Sequence, residues 1–365
     1  MSSVGLTPTD SPTTASLLER VQEYARTVLA PTAVATDTAG VTAGRVGELA
    51  GLGLLNHLAP RWAGGAAADR QTDRRIHELL AGACFNTWLV WAQHAPIVGR
   101  LAAVDGDRTN GDLSPAARSI LAGEVLAGAG LSDVRRYPQR YIRARPVPGG
   151  WALSGTLSWV SGWGLNSVLA VGAVDPDTAT VLTTLVPVSD RTRAEHLELA
   201  ALTGSRTLRV RLDEAFVADE DVIARQPLSQ WRTTDLGTAG DARGQHFGLA
   251  EAILAELEQS PHAAAQDVAV HWRPRVDGLR AQAYGLADEA LDGGDPLHRI
   301  DERLATKAAS GEALSTLSRA LLISRSGRGL ARDDTAQLYA RNALFVLVQG
   351  QRTEVRDAQL ALLAR

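Results

Sequence analysis

The hydrophobic period of this chain changes twice along its length, and that change restricts its architecture more than any other feature. Over the first 130 residues apolar side chains recur at helical spacing. In "SLLERVQEYARTVLAPTA" the proline is expected to close the helix, and in "TAGRVGELAGLGLLNHLAP" Thr42 stands where an N-cap belongs. "RWAGGAAADR" reads as a Gly-rich loop. Residues 74–104 and 115–128 read as further helices, the latter opened by Pro115. From about Tyr141 the period falls to two. "YIRARPV", "WALSGTLSWV", "SVLAVGAV", "TVLTTLVPV" and "TLRVRLDEAFV" are short alternating or apolar runs separated by Gly, Pro, Asp and Ser, which is strand behaviour. After Trp231 helical spacing returns in "GQHFGLAEAILAELEQ" and in residues 263–292, 299–325 and 333–364. The expected organisation is a polar Pro- and Thr-rich tail (1–14), an N-terminal helical domain (15–131), a middle β domain (132–230) and a C-terminal helical bundle (231–365), with no internal repeat.

Composition narrows the function classes. A formal net charge of −4 argues against nucleic acid as a partner. Cys84 is the only cysteine, so an intrachain disulfide and a Cys-rich metal site are excluded, and its apolar surroundings, "LLAGACFNTWLVWAQHA", suit a buried structural thiol. Asn86, Gln93 and His94 interrupt that run, so it does not read as a membrane span. No charged-then-apolar leader opens the sequence, and a cytoplasmic protein is expected. The eight histidines show no metal-ligand spacing. Lys307 is the only lysine, which leaves little room for lysine-based covalent catalysis.

One stretch asks for a function. "GGWALSGTLSWVSGWG" places Trp151, Trp159 and Trp163 within thirteen residues, each beside Gly or Ser, in a chain that is 5% aromatic. Two aromatic-bearing strands of an edge hairpin, with the rings as surface cover, are one reading. A flat ligand held against exposed backbone amides is the other.

The order helix, strand, helix, together with four segments at its seams, resembles the acyl-CoA dehydrogenase family over nearly the whole chain. The segments are "LAGLGLLNHLAPRWAGGAA", "GGWALSGTLSWVSGWGLNSVLAVGAV", "LTGSRTLRVRLDEAFVADEDVI" and "SGRGLARDDTAQLYARNALFVLVQGQRTEV". The resemblance implies an α+β multidomain fold: an N-terminal helical domain, a middle antiparallel β-barrel or sandwich domain and a C-terminal four-helix bundle. It further implies FAD as cofactor, an acyl-CoA or similar small-molecule substrate, a place in lipid metabolism, and assembly as a homo-oligomer or with a homologous chain. By the same resemblance Trp159 covers the edge of the isoalloxazine, Ser161 bonds near its reactive nitrogen, Ser132 meets a phosphate, and Thr353 belongs to the cofactor site through the C-terminal segment. A flat redox ring needs an aromatic wall and a few fixed donors or acceptors, and Gly neighbours admit it closely. Trp151 and Trp163 have no such match and read as packing.

Three departures bear on the chemistry. "LAGAGLSDVRR" keeps Gly130 to Asp133 but lacks the family's preceding Thr-Glu-Pro. The Arg-x-x-Phe-Gly that reaches a neighbouring subunit's FAD is replaced by "SPHAAAQDVAVHW", so a fixed cation for the pyrophosphate is missing. The carboxylate that takes the α-proton of an acyl thioester is missing too: Gly350 or, one residue shifted, Gln349 stands in its place. Another branch of the family draws that carboxylate from the start of the first C-terminal helix, where Asp241 is the only candidate, and an exposed Asp beside a helix start is the bland alternative. Related monooxygenases that use reduced flavin resemble "SWVSG" and "WAQHAP" and carry His residues after an Arg-Asn. Arg341 and Asn342 match the Arg-Asn, but Val346 and Gln349 hold the His positions. Three functions therefore stay open: an acyl-thioester dehydrogenase with a displaced base, a flavin monooxygenase, and a non-catalytic subunit beside an active homologue.

Overall fold

The computed structural model describes residues 14–104 and 113–365. The tail assigned to residues 1–14 lies outside them apart from Thr14, which opens the first helix. The N-terminal helices are α1 (Thr14–Tyr24), α2 (Ala30–Ala39), α3 (Ala43–Gly51), α4 (Arg70–Ala83), α5 (Phe85–Val104) and α6 (Pro115–Leu121). Thr42 caps α3 by accepting from the Arg45 N–H at 3.2 Å, as its position predicts. Pro31 does not close the first run. A π-helical turn, Ala25–Leu29, carries the chain into α2, where Pro31 falls in the first turn and its missing N–H is no loss. The helix expected over residues 115–128 stops at Leu121, and the short Gly/Ala stretch after it is a strand, β1 (Ala127–Gly130).

The remaining strands are β2 (Arg143–Val147), β3 (Gly150–Val160), β4 (Val168–Asp175), β5 (Thr180–Pro187), β6 (Thr192–Glu195), β7 (Leu208–Ala218) and β8 (Val222–Pro227). They form one eight-stranded sheet in the order β6-β7-β3-β2-β4-β5-β8, with β1 beside β4. Pairing is antiparallel except where β4 meets β1 and, at one position, β2. "GGWALSGTLSWVSGWG" is therefore not a hairpin of two aromatic strands. It is one eleven-residue inner strand between β2 and β7, and the tight turn lies ahead of it at Pro148–Gly149, where Gly149 has φ +77°. Trp151 and Trp163 pack on the β core, and the Trp151 Nε1 donates to Asp219 Oδ1 at 3.2 Å.

The C-terminal part holds α7 (Leu228–Gly240), α8 (Gly244–Glu258), α9 (Ala263–Asp292), α10 (Ile300–Arg325), α11 (Thr335–Val348) and α12 (Thr353–Leu363). The expected helix over 333–364 is two helices, because the chain turns at Gly350, whose φ of +68° favours glycine. One core runs through both helical parts, from Leu17 and Leu29 through Trp88 and Trp91 to Leu254 and Val346. One of its close approaches is the crossing of α4 and α8: a Cβ on Gly248 would stand 2.1 Å from the Glu78 carbonyl oxygen. That contact sets where the first turn of α8, with Gln245 and His246, sits.

Candidate functional site

Two groups of residues converge on the seam between the sheet and the C-terminal helices. The first is built on β3. Trp159 points away from the β core and is 47% exposed, while Ser158 and Val160 on either side are buried. Among the described residues its ring contacts no other ring, and its Nε1 has no hydrogen-bond partner. The fixed position of this strand end comes from Asp133, which is 1% exposed. Its carboxylate accepts from the Ser158 N–H at 2.7 Å and from the Ser158 hydroxyl at 2.5 Å. Ser132 precedes Asp133 at the head of a 3-10 turn, Ser132–Arg136. The Asp133–Ser158 bonds thus bring Ser132 and Trp159, each one residue away, to the same end of the sheet.

Ser161 is buried, and a chain of hydroxyls decides what it can offer. Ser205 Oγ lies 2.7 Å from the Leu202 carbonyl, which only accepts, so the Ser205 proton goes there. Thr207 must then donate to Ser205 at 2.7 Å, and Ser161 must donate to Thr207 at 2.8 Å. Each hydroxyl has one proton, so Ser161 presents only lone pairs to any further partner. The sequence placed Ser161 but held no sign of Thr207 and Ser205. Arg206, between them, is exposed and has no ion-pair partner among the described residues.

The second group lies where α7, α10 and α11 end or cross. Gln349 caps α11, and its side-chain oxygen accepts from Gln245 Nε2 at 2.9 Å. An amide pair thus occupies the place where the resemblance puts a carboxylate, and Gly350 beside it has a left-handed backbone. Asp241 is not exposed, contrary to the bland alternative. Its carboxylate accepts from Arg303 Nε at 2.7 Å, and Arg303, 4% exposed, also donates to the carbonyls of Gly237 and Pro296. Asp241 is therefore committed to an ion pair. Lys307, which carried no site expectation, stands against Gln349–Gly350 and is buried. Burial, helped by Arg243 and Arg135, pulls its pKa down from 10.5 to about 7. His246 in the first turn of α8 is held neutral, its pKa lowered to about 3 by burial and then by Lys307.

A three-charge bridge joins the two groups. Arg135, in the 3-10 turn that begins at Ser132, makes two 2.9 Å bonds to Asp235 on α7, and Asp235 accepts from Arg352, ahead of α12, at 2.8 Å. Thr353, the remaining predicted position, is exposed at the start of α12, where among the described residues its hydroxyl meets only Arg356, at 3.4 Å. Arg341 is committed elsewhere, tying α11 to Asp37 on α2 at 2.7 Å, and Asn342 is buried. His94 is structural as well. Its ring accepts from the Ala127 N–H at 3.0 Å and reaches the Leu55 carbonyl at 2.6 Å, pinning α5 to β1. Among the described residues no cluster of three His, Cys, Asp or Glu could hold a metal ion, and no helix is long and apolar enough to cross a membrane.

No family model matches this chain, and no curated protein does. Solved structures match over nearly its full length. The butyryl-CoA dehydrogenase of Megasphaera elsdenii superposes with a TM-score of 0.76 at 15% identity, covering 99% of this chain and 100% of that one. The chain has the acyl-CoA dehydrogenase fold. KijD3, solved with FMN and a dTDP-linked amino-keto sugar, has a TM-score of 0.79 at 18% identity, with 98% and 95% of the two chains covered. The nitrososynthase of Micromonospora carbonacea var. africana gives 0.79 at 19% identity, over 98% and 96%. The helix–sheet–helix order expected from the two changes of period is thus the order of this fold.

Proposed function

We propose that the chain is a flavin-dependent oxidoreductase, with the isoalloxazine lying against Trp159 and Ser161. The observation that carries this reading is the pairing of a half-exposed, partnerless indole with a buried hydroxyl that can only accept. Stacking on the indole removes apolar ring surface from water, and Ser161 would accept from the N–H that a reduced flavin carries at its redox-active nitrogen. A bound flavin supplies the two-electron step, and the protein's part is to position, shield and handle protons. Ser132 and the free guanidinium of Arg206 are the phosphate candidates. Without the Arg-x-x-Phe-Gly the pyrophosphate of FAD lacks the fixed cation that the resemblance implies, so FMN suits this chain better than FAD.

The substrate is a small molecule. A carboxylate-driven acyl-CoA dehydrogenation finds no support in the amide pair Gln245–Gln349, and Asp241 is held by Arg303. The second reading, a flavin monooxygenase of this fold, is in keeping with the likeness to KijD3, solved with FMN and a dTDP-linked amino-keto sugar. The test is direct. Purified protein is titrated with FMN and with FAD while tryptophan fluorescence is followed. Expected are quenching on binding, tighter binding of FMN, and a loss of about tenfold in affinity, about 1.4 kcal/mol, for Trp159→Ala with an unchanged melting temperature. Full affinity in that variant removes Trp159 from the site. A colourless protein that binds neither flavin but associates with a homologous chain would replace this proposal with the partner-subunit reading.

A further inference from the structure

Lys307 is the only lysine of the chain, and its amine sits between the ends of two other helices. Nζ donates to the Ala239 carbonyl, near the end of α7, at 2.6 Å, and faces the Gln349 carbonyl, at the end of α11, at 3.5 Å. A Cβ on Gly350 would stand 3.7 Å from it. The amine therefore touches both segments from which a carboxylate was expected, and neither delivers one: Gln349 is an amide, and Asp241 belongs to Arg303.

The geometry makes its third proton dispensable. An ammonium has three N–H groups and a neutral amine has two. Two carbonyls are the only acceptors within reach of Nζ among the described residues, and no carboxylate forms an ion pair with it. Both carbonyls stay served when one proton leaves, so the group can titrate without breaking the joint between α7, α10 and α11. We propose that Lys307 is the group at this site that takes up and releases a proton, in the place a carboxylate would fill.

Its surroundings agree. Burial disfavours the charged form most, and Arg243 ahead of α8 and Arg135 in the turn after β1 act in the same direction. Asp241 and Asp235 oppose them from the end of α7 and from within it. His246 on α8 is neutral, and the turn between α11 and α12 faces the amine with the Gln349 backbone carbonyl and Gly350. The role in substrate oxidation rests on the flavin reading; the titration itself does not.

The single lysine makes the test clean. Full-length protein grown on lysine carrying ¹³C at the ε position gives one side-chain signal, followed by NMR from acid to alkaline pH with folding monitored in parallel. The expected midpoint is near 7, so that about half the amine is neutral there, against less than a thousandth for an ordinary lysine. A midpoint above about 9.5 overturns the proposal and leaves Lys307 as a charged cap on two helix ends. Added FMN is expected to displace the signal through the ring current of the bound flavin. Binding of FMN, seen by tryptophan quenching, without any displacement places the amine away from the site and also overturns the proposal. Failure to bind either flavin sinks the flavin reading alone, and the midpoint still decides the amine.

Discussion

Replacing Gly248 by alanine tests how the site is held. On that glycine a Cβ would stand 2.1 Å from the Glu78 carbonyl oxygen, whereas ordinary contact begins at 3.4 Å, so α4 and α8 must part by about 1.3 Å. The obstacle is backbone and cannot swing aside. Overpacking of this kind destabilises by about 1–3 kcal/mol or more, and the better helix propensity of alanine returns up to about 1 kcal/mol. Glu78 adds to the loss, because it is 6% exposed and accepts from Tyr284 and Arg75 at 2.8 Å each. We expect a net loss of about 2 kcal/mol, and a weakened Gln245–Gln349 contact, since Gln245 lies one turn earlier on the displaced helix. Gly278→Ala is the matched control: nothing lies within 4 Å of its Cβ position on α9, so it should gain up to about 1 kcal/mol. Both variants are unfolded by heat and by urea. Opposite signs are expected, and a Gly248→Ala protein as stable as the parent would refute the close-crossing argument.

Three further outcomes follow from the same contacts. Thr207→Val removes the acceptor of the Ser161 proton, freeing Ser161 to donate; the preference for reduced over oxidised flavin should fall about tenfold, or about 30 mV for a two-electron couple, read by spectroelectrochemistry. Arg303→Met strands the Asp241 carboxylate and the carbonyls of Gly237 and Pro296, and should lose about 3–5 kcal/mol in urea unfolding, whereas a loss under 1 kcal/mol would show that the pair is not buried in solution. Lys307 has a folded-state pKa of about 7, below its unfolded value, so between pH 7 and about 10.4 the unfolded chain holds more protons. Its contribution to stability should rise across that window, by about 5 kcal/mol at most, and a Lys307→Met protein should lack the rise.

Much of the fold was legible in the sequence, because burial imposes a local period. The long C-terminal helix α9 and the strand β7 keep one face inside, and a period of 3.6 or 2 records that face, while β4 and β5 are buried on both faces and show as largely apolar runs. Where the segment is too short to show a period, the reading failed: "AGAG" became β1 only because β4 lies beside it, and the run through Pro31 continued because a π-helical turn absorbed the proline. The aromatic stretch around Trp159 was likewise visible as a local oddity, but its place as an inner strand depended on β2 and β7.

The site divides in the same way. The residue types can be read along the chain: a Trp-x-Ser on a strand, no carboxylate at Gln349 or Gly350, and a single lysine among many arginines. What those residues can do follows from the contacts that folding brings to them. Ser161 becomes an acceptor through Thr207, 46 residues away, and Lys307 meets Ala239 and Gln349 across 68 and 42 residues. Proton placement and pKa depend on distance and on exclusion of water, and neither has a period that a linear sequence can carry.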